Sequence, residues 1–214
     1  MARLKVGVLI SGRGSNLQAL VDAAADAAYP AEIVLVISNR PDAAGLARAA
    51  QAGIAHRTIA ESDRRRFAAE ADAALRLADI DLVALAGFMR ILDNGFVDFW
   101  RDRLVNIHPS LLPAFPGLHP QRQALAAGVK FSGCTVHFVR PAVDTGPIIA
   151  QAVVPVLPGD DETTLSDRIL AAEHRLYPMA VRLYAEGRLQ IDGDRVLTIG
   201  AAAPELALFN PLEP

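Results

Sequence analysis

The stretch LKVGVLISGRGSNLQAL, residues 4–20, predicts a buried strand, a glycine-containing turn and the beginning of a helix. Leu4–Ile10 is almost continuously apolar, which is typical of a strand covered on both faces. Gly12 and Gly14 follow, and apolar residues then recur at helical spacing, at Leu17, Leu20, Val21, Ala24 and Ala28. A buried strand that leads directly into an amphipathic helix favours an α/β fold.

The alternation of strand and helix continues through the first half of the chain. Apolar runs at 33–37, 82–86 and 104–107 predict further strands, and helical patterns occupy 42–52 and 63–77. The strands are apolar on both faces, whereas a sheet with one exposed face would alternate apolar and polar residues. We therefore predict an open, doubly wound, mostly parallel sheet with helices on both faces.

The second half changes character after a proline-rich loop. Two further strands are predicted at 132–139 and 148–156, joined by the loop RPAVDTGP. A long helix follows, opened by Asp160, Asp161 and Glu162, and Pro178 is expected to kink or shorten it. LQIDGDRVLTI predicts a small β-hairpin with its turn at Asp192 and Gly193. We expect one domain over residues 1–200 and a tail of uncertain structure over 201–214.

Composition and charge restrict the class of partner. A net charge of -3 and a pI near 5.9 do not fit a nucleic-acid-binding surface. No segment approaches the roughly 18 apolar residues of a membrane span, and the first apolar run reads as a strand rather than a signal peptide. The single cysteine, Cys134, fits a reducing compartment. We expect a cytoplasmic protein with small-molecule substrates, either monomeric or homodimeric.

SGRGSN, residues 11–16, lies where the first strand meets the first helix. Free backbone N–H groups and the positive end of the helix dipole favour a phosphate at such a junction. The third glycine of a dinucleotide fingerprint is missing, and so is the G-K-[ST] ending of a P-loop. The remaining interpretations are a single phosphate held near Gly14, Ser15 and Asn16, or a plain turn in which Ser15 or Asn16 caps the helix.

A second polar site is predicted in VNIHPSLLPAF, residues 105–115. Asn106 and His108 are two residues apart on a strand, so their side chains leave the same face, and Pro109 then ends the strand. An amide and an imidazolium directed at one point suit an oxygen that becomes negative during acyl transfer. The alternative is that both side chains merely satisfy a buried loop.

A carboxylate near His108 would favour the protonated ring that such chemistry needs. Asp144, in RPAVDTGP, is the candidate, although an aspartate before Gly146 also suits an ordinary turn. His119 and His137 are weaker candidates, the first in a loop and the second inside a strand. No spacing of histidine or cysteine indicates a metal site, and Ser110 lacks the turn of a hydrolase nucleophile.

Taken together, five motifs resemble the folate-dependent formyltransferase family, and within it the phosphoribosylglycinamide formyltransferases of purine synthesis. The motifs are SGRGSN, ALAGFMRIL, LVNIHPSLLPAFPG, GCTVHFV and VDTGPIIAQ. The resemblance implies a Rossmann-like formyltransferase fold and direct transfer of a formyl group from 10-formyltetrahydrofolate to the amino group of glycinamide ribonucleotide. It implies no metal.

The resemblance also implies residue roles. Asn106 and His108 would hold the formyl oxygen, His108 would act as general acid, and Asp144 would keep it protonated and order a water. The ribonucleotide would contact Gly14, Ser15, Asn16 and Glu173. Without the resemblance, the helical pattern alone would predict that Glu173 is solvated. The folate would contact Arg64, Met89, Arg90, Ile91, Leu92, Asn106, Arg140, Pro141, Ala142, Val143 and Asp144, with the choice among Arg64, Arg65 and Arg66 left open.

Two departures and three alternatives stand beside this interpretation. The family often has a second loop histidine where this chain has Gln121, and the loop RPAVDTG is richer in proline than usual. The nearest alternative is a formyltetrahydrofolate deformylase, which passes the formyl group to water. A methionyl-tRNA formyltransferase would need a further RNA-binding domain, and a catalytically inactive nucleotide-binding module would not need Asn106, His108 and Asp144.

Overall fold

The computed structural model describes residues 2–200, 202 and 208–210, so most of the predicted tail lies outside the described residues. The elements in chain order are β1 (Leu4–Ile10), α1 (Ser15–Ala24), β2 (Ala31–Ser38), α2 (Gly45–Gln51), β3 (Ala55–Thr58), α3 (Arg64–Leu77), β4 (Leu82–Leu85), α4 (Asn94–Phe99), β5 (Leu104–His108), α5 (Pro120–Ala126), β6 (Phe131–Phe138), β7 (Ile148–Pro155), α6 (Glu162–Ala185), β8 (Leu189–Asp192) and β9 (Arg195–Thr198).

Seven strands form one mixed sheet in the order β3-β2-β1-β4-β5-β6-β7, and β8 and β9 form a separate antiparallel hairpin. The first five strands of the sheet are parallel, whereas β6 runs antiparallel to β5 and β7 antiparallel to β6. Two clusters of buried apolar residues pack against it, one containing Val8 and Ile107 and the other Leu9 and Leu104. The predicted mostly parallel, doubly wound sheet is therefore confirmed.

At β1 the side of the sheet to which the chain adds new strands changes. From β1 the chain adds β2 and β3 on one side, and it then crosses to β4 and β5 on the other. The loops that follow β1 and β4 thus leave the same end of the sheet in opposite directions. In doubly wound folds a cleft opens at such a switch point, and here the switch point lies beside SGRGSN.

Three elements of the structure were not predicted from the sequence pattern. All four residues of β3 are exposed, so this edge strand has no apolar signal. Helices α4 and α5 have six and seven residues, too few for a clear helical period. Asp93 caps α4 by accepting from Gly95 N, and α5 begins at Pro120. Short elements of this kind depend on caps and on the fixed φ of proline.

Pro178 does not shorten the last helix, and the predicted hairpin turn is wrong by one residue. Helix α6 continues through Pro178 for seven further residues instead of ending near it, and the hydroxyl of Tyr29 donates to the Pro178 carbonyl oxygen (2.8 Å). Packing against the sheet keeps the helix continuous, since Tyr177, Ala180 and Val181 are buried around the proline. In the hairpin Asp192 pairs with Arg195, so the turn residues are Gly193 and Asp194 rather than Asp192 and Gly193.

No helix within residues 2–200 is long and apolar enough to span a membrane.

Tyr177 anchors α6 to the sheet beside the switch point. Its buried hydroxyl lies 3.0 Å from the Leu85 carbonyl oxygen and 3.3 Å from that of Val105. Tyr177→Phe should lower the free energy of unfolding by about 1 to 2 kcal/mol, because it leaves buried acceptors without a donor. Tyr184→Phe is the matched control, since the Tyr184 ring packs against Phe138 and its hydroxyl has no hydrogen-bond partner among the described residues. Urea unfolding measures both variants, and equal effects would contradict the anchoring role.

Candidate active site

Strand β5 alternates its side chains between the two faces of the sheet. Val105 and Ile107 belong to one apolar cluster, and Leu104 belongs to the other. Asn106 and His108 therefore share a face with Leu104, as their spacing predicted. The strand ends at His108, and the Ser110 amide donates back to the His108 carbonyl oxygen (2.9 Å). A polar pair is thus fixed at the end of a buried strand.

Asp144 reaches this pair from the loop between β6 and β7. Its Oδ2 lies 3.4 Å from His108 Nδ1 and accepts a hydrogen bond from the Gly117 amide (2.8 Å). The other ring nitrogen of His108, Nε2, donates to the Phe115 carbonyl oxygen (3.0 Å). Acceptors thus face both nitrogens of a buried ring, which is the arrangement that a doubly protonated imidazolium satisfies. Asp144 adopts a positive φ of 54°, a conformation that aspartate and asparagine tolerate better than most residues.

His137 also belongs to this cluster, although the sequence made it only a weak candidate. In the β5–β6 register it lies opposite Asn106, and Asn106 Nδ2 is 3.2 Å from His137 Nε2. His137 Nδ1 donates to the Phe138 carbonyl oxygen (3.0 Å), so Nε2 accepts from the amide of Asn106. Burial lowers the pKa of His137, which favours this neutral form. His137 therefore fixes which way the amide of Asn106 points. The sequence alone did not predict this contact, because it depends on the antiparallel register of β5 and β6.

A cleft of about 580 Å³ lies beside the cluster. Ile107 and Pro109, on either side of His108, contribute to its wall. The loop after β1 forms another wall, and Gly14, Ser15, Asn16 and Glu173, all predicted to contact the ribonucleotide, line the same cleft. The structure thus brings the four predicted ribonucleotide contacts together, next to the strand that carries Asn106 and His108.

The glycines of SGRGSN allow the loop to pack closely on α2. Gly14 has a φ of 72°, and a Cβ there would lie 2.6 Å from the Cα of Gly45. The Gly45 amide donates to the Gly12 carbonyl oxygen (3.0 Å). No side chain caps α1, so the predicted alternative in which Ser15 or Asn16 caps the helix is wrong. The first-turn N–H groups consequently remain available to a ligand at the helix N-terminus.

Asn16 and Glu173 form a buried polar pair in the cleft wall. Asn16 Nδ2 donates to Glu173 Oε2 (2.8 Å), and Asn16 Oδ1 is buried without a partner among the described residues. Burial raises the pKa of Glu173 to about 7, with the Asn16 amide opposing that shift. The helical pattern suggested a solvated Glu173, but only 5% of it is exposed. A buried carboxyl beside an unpartnered amide oxygen is suited to a ligand with hydroxyl or amine groups.

The loop after β4 contains four of the predicted folate contacts. The side chains of Met89 and Ile91 are exposed, whereas Leu92 is buried. The Arg90 guanidinium donates to the carbonyl oxygens of Glu61 (2.6 Å) and Ser62 (2.8 Å), so it braces the loop before α3. The Met89 and Ile91 side chains of this loop thus face solvent, while Arg90 holds the loop to the segment before α3.

Ser11 connects this loop to SGRGSN. Its hydroxyl accepts from the Met89 amide (2.8 Å) and donates to Asn39 Oδ1 (2.6 Å). Ser11 is buried, and both Ser11 and Met89 line the cleft. The loops after β1 and β4 are therefore held at a fixed separation.

The remaining predicted folate contacts lie on two other segments. Pro141, Ala142 and Val143 are exposed in the loop between β6 and β7, and Arg140 is held by Asp102 (2.6 Å). Arg64 is exposed at the first position of α3, and its neighbour Arg65 lies 3.8 Å from Asp93. The Arg140 side chain is thus already engaged, which leaves mainly the backbone of its loop to a ligand.

The other candidates of the sequence lie at the edge of this region. His119 is exposed, 3.7 Å from Glu162, and Gln121 lines the cleft. Cys134 is buried, and its pKa is raised to about 12 by burial, so its thiol is not a nucleophile. In the described part of the chain no three histidine, cysteine, aspartate or glutamate residues are grouped as metal ligands would be.

Comparison with known proteins places this geometry in a family. The sequence profile described as Formyl transferase matches residues 4–181. Phosphoribosylglycinamide formyltransferase of Escherichia coli K12 is 45% identical over 212 residues, covering 94% of this chain and all of that protein. A trifunctional purine biosynthetic protein adenosine-3 of Drosophila pseudoobscura is 55% identical over 95% of this chain, which spans only 15% of that protein's length.

Solved structures show the same relationship. Glycinamide ribonucleotide transformylase 1 of Symbiobacterium toebii superposes with a TM-score of 0.89 at 52% identity, covering 92% of this chain and 94% of that one. A formyltetrahydrofolate deformylase of Burkholderia mallei superposes with a TM-score of 0.84 at 32% identity, and 70% of that chain is covered. The profile match over most of the chain and the high identity to full-length relatives agree: this chain belongs to the formyl transferase family.

Proposed function

We propose that this protein transfers a formyl group from 10-formyltetrahydrofolate to the amino group of glycinamide ribonucleotide. The observation that carries the proposal is the cluster of Asn106, His108 and Asp144 at the end of β5, where the neighbouring residues Ile107 and Pro109 line the cleft. The relatives named as phosphoribosylglycinamide formyltransferases support it, because one of them is covered over its whole length.

Asn106 and His108 supply donors for the oxygen of a formyl group. Asn106 has two N–H donors, of which one goes to His137 and the other remains for a ligand. When the amine attacks the formyl carbon, the carbonyl oxygen becomes negative, and fixed donors stabilise it more than the neutral ground state. The two side chains thus have the chemistry of an oxyanion site.

His108 and Asp144 would also manage the proton. A C–N bond forms as the substrate amine loses a proton, and the C–N bond to the folate breaks as the folate nitrogen gains one. An imidazolium can donate a proton and recover one, so no net proton needs to leave the site. The carboxylate 3.4 Å from Nδ1 stabilises the charged ring between these steps.

The Phe115 carbonyl oxygen occupies the acceptor position at His108 Nε2 in this structure. A formyl oxygen that takes its hydrogen bond from Nε2 must replace this carbonyl. The segment 109–119 would therefore shift on substrate binding. Phe115, in this segment, has a positive φ of 54°, which is a strained conformation for a bulky residue.

The cleft would take the ribonucleotide. The uncapped N-terminus of α1, with Gly14, Ser15 and Asn16, would take the phosphate. Glu173 and the free Oδ1 of Asn16 would accept from the ribose hydroxyls or the glycinamide group. The amine would then approach the formyl group past Ile107 and Pro109.

The folate would lie against the exposed parts of the loops after β4 and β6. Met89 and Ile91 offer apolar surface, and the backbone of residues 140–144 offers hydrogen bonds to a pterin. Arg64 would face the charged end of the folate. When bound, 10-formyltetrahydrofolate would supply the activated formyl group, and Asn106 and Asp144 would contact it.

One experiment separates formyl transfer from the deformylase alternative. The protein is incubated with 10-formyltetrahydrofolate, with and without glycinamide ribonucleotide, and tetrahydrofolate release is followed. We expect release only with the ribonucleotide, in equal amounts with formylated product. Release to water alone would indicate a deformylase, and no release in either case would contradict the proposal.

The oxyanion donors give a direct mutational test. Asn106→Ala and His108→Ala should each lower kcat by about 100-fold or more, because removal of one such donor typically costs ~3 to 4 kcal/mol of transition-state stabilisation. His56→Ala and Asn94→Ala, at exposed positions of β3 and α4, are the matched controls and should retain wild-type turnover. Steady-state kinetics measures all four, and near-normal kcat in either site variant would overturn the assignment.

Glu173 predicts a dependence of stability on pH. Its folded-state pKa of about 7 lies above its ordinary value of 4.5, so the folded protein favours the protonated carboxyl. This contribution is complete below pH 4.5 and is lost as the pH rises through 7. Relative to Glu173→Gln, the wild type should therefore lose about 3 kcal/mol of unfolding free energy across that range.

Urea unfolding at several pH values measures this difference. Glu70→Gln, at an exposed position of α3, is the control and should follow the wild-type pH curve. Parallel curves for the wild type and Glu173→Gln would show that Glu173 ionises normally.

A further inference from the structure

We propose that Arg13 selects the phosphorylated form of the substrate by pairing with its phosphate in the cleft. This role goes beyond the backbone contacts of Gly14, Ser15 and Asn16, and it rests on the proposed function for the identity of the substrate. Its ligand class is a phosphomonoester dianion attached to a ribose.

The backbone on either side of Arg13 is held in place. The Gly12 carbonyl oxygen accepts from Gly45 N (3.0 Å), and the Arg13 carbonyl oxygen accepts from Arg48 Nε (3.0 Å). Close packing of Gly14 on Gly45 fixes the next residue. Both carbonyl groups are thus turned towards α2, and Arg13 is presented from a rigid loop at the wall of the cleft.

Charge in the cleft is divided among a few side chains. Of the residues described along its wall, two are cationic, Arg13 and Arg40, and two carry a carboxyl group, Asp167 and Glu173. Arg40 is engaged by Asp42 through two hydrogen bonds, from Nε (3.1 Å) and from the second guanidinium nitrogen (2.7 Å). Arg13 is exposed and has no ion pair or side-chain hydrogen bond with any described residue. It is therefore the cation that a ligand can engage without breaking an existing pair.

A phosphomonoester matches what this wall offers. The uncapped first turn of α1 provides N–H groups and a partial positive charge for the phosphate. The unpartnered Oδ1 of buried Asn16 can accept from a hydroxyl of the attached ribose. A helix N-terminus supplies less than one unit of charge, whereas the phosphate carries nearly two. The planar guanidinium of Arg13 can bind two phosphate oxygens at once and supply the remainder.

The test compares Arg13→Gln and Arg13→Lys with the wild type in formyl transfer. Arg13→Gln should raise the KM for glycinamide ribonucleotide by about 10- to 100-fold, since a charge-assisted hydrogen bond is lost. Its kcat and its KM for 10-formyltetrahydrofolate should change by less than about threefold, because the reacting atoms are untouched. The KM of Arg13→Lys for glycinamide ribonucleotide should lie between those of the wild type and Arg13→Gln, since lysine keeps the positive charge but cannot bind two phosphate oxygens at once as a guanidinium does.

Selectivity distinguishes a phosphate contact from a structural role. The wild type should prefer glycinamide ribonucleotide over its dephosphorylated riboside, and Arg13→Gln should lose most of that preference. The loss should come from a lower kcat/KM for the ribonucleotide, with that for the riboside unchanged. Arg175→Gln, an exposed α6 residue outside the cleft wall, is the control. An unchanged preference in Arg13→Gln, or loss of the preference in Arg40→Gln instead, would overturn the proposal.

Binding measurements keep this inference separate from the proposed function. Calorimetry with ribose 5-phosphate and with ribose needs no formyl transfer. We expect tighter binding of the phosphate by the wild type and a reduced difference in Arg13→Gln. If the protein transfers no formyl group but shows this pattern, the proposed function fails and the role of Arg13 stands. If the difference is the same in both proteins, the role of Arg13 fails.

Discussion

The contact between the Asp144 carboxylate and the His108 ring is the interaction on which the site depends. It joins the end of β5 to the loop between β6 and β7, and the same carboxylate oxygen receives the Gly117 amide from the segment that follows His108. A buried carboxylate without such partners would be strongly unfavourable. The pair therefore joins the loop between β6 and β7 to the end of β5 and to the segment that follows it.

The antiparallel strands at the end of the parallel sheet make this contact possible. Because β6 runs against β5, His137 lies opposite Asn106, and the loop after β6 can turn back over both. Gly146 allows the turn, since a Cβ there would lie 1.7 Å from the Phe138 carbonyl oxygen. At the other side of the cleft, Gly14 against Gly45 performs a comparable task for SGRGSN. Backbone packing at glycine thus positions polar groups that the side chains alone could not hold.

The sequence predicted much of this arrangement for physical reasons. Buried parallel strands are apolar on both faces, so β1, β2, β4 and β5 were found close to their true bounds, and the shared face of Asn106 and His108 follows from strand geometry. Exposed β3, the short helices α4 and α5 and the continuity of α6 at Pro178 depend on tertiary packing, which periodicity does not report. The partners of His137 and the burial of Glu173 depend on contacts between distant segments, and no local pattern shows these.

The central claim is that Asp144 maintains the charged form of His108 that the proposed formyl transfer would use. Asp144→Asn tests it most directly, because asparagine also tolerates the positive φ of 54° at this position and has nearly the same shape. Asp79→Asn is the matched control, since Asp79 has a φ of 50° and is exposed. The account predicts a kcat at least about 100-fold lower for Asp144→Asn, with wild-type turnover for Asp79→Asn and cooperative unfolding for both. A folded Asp144→Asn protein with near-normal kcat would contradict it.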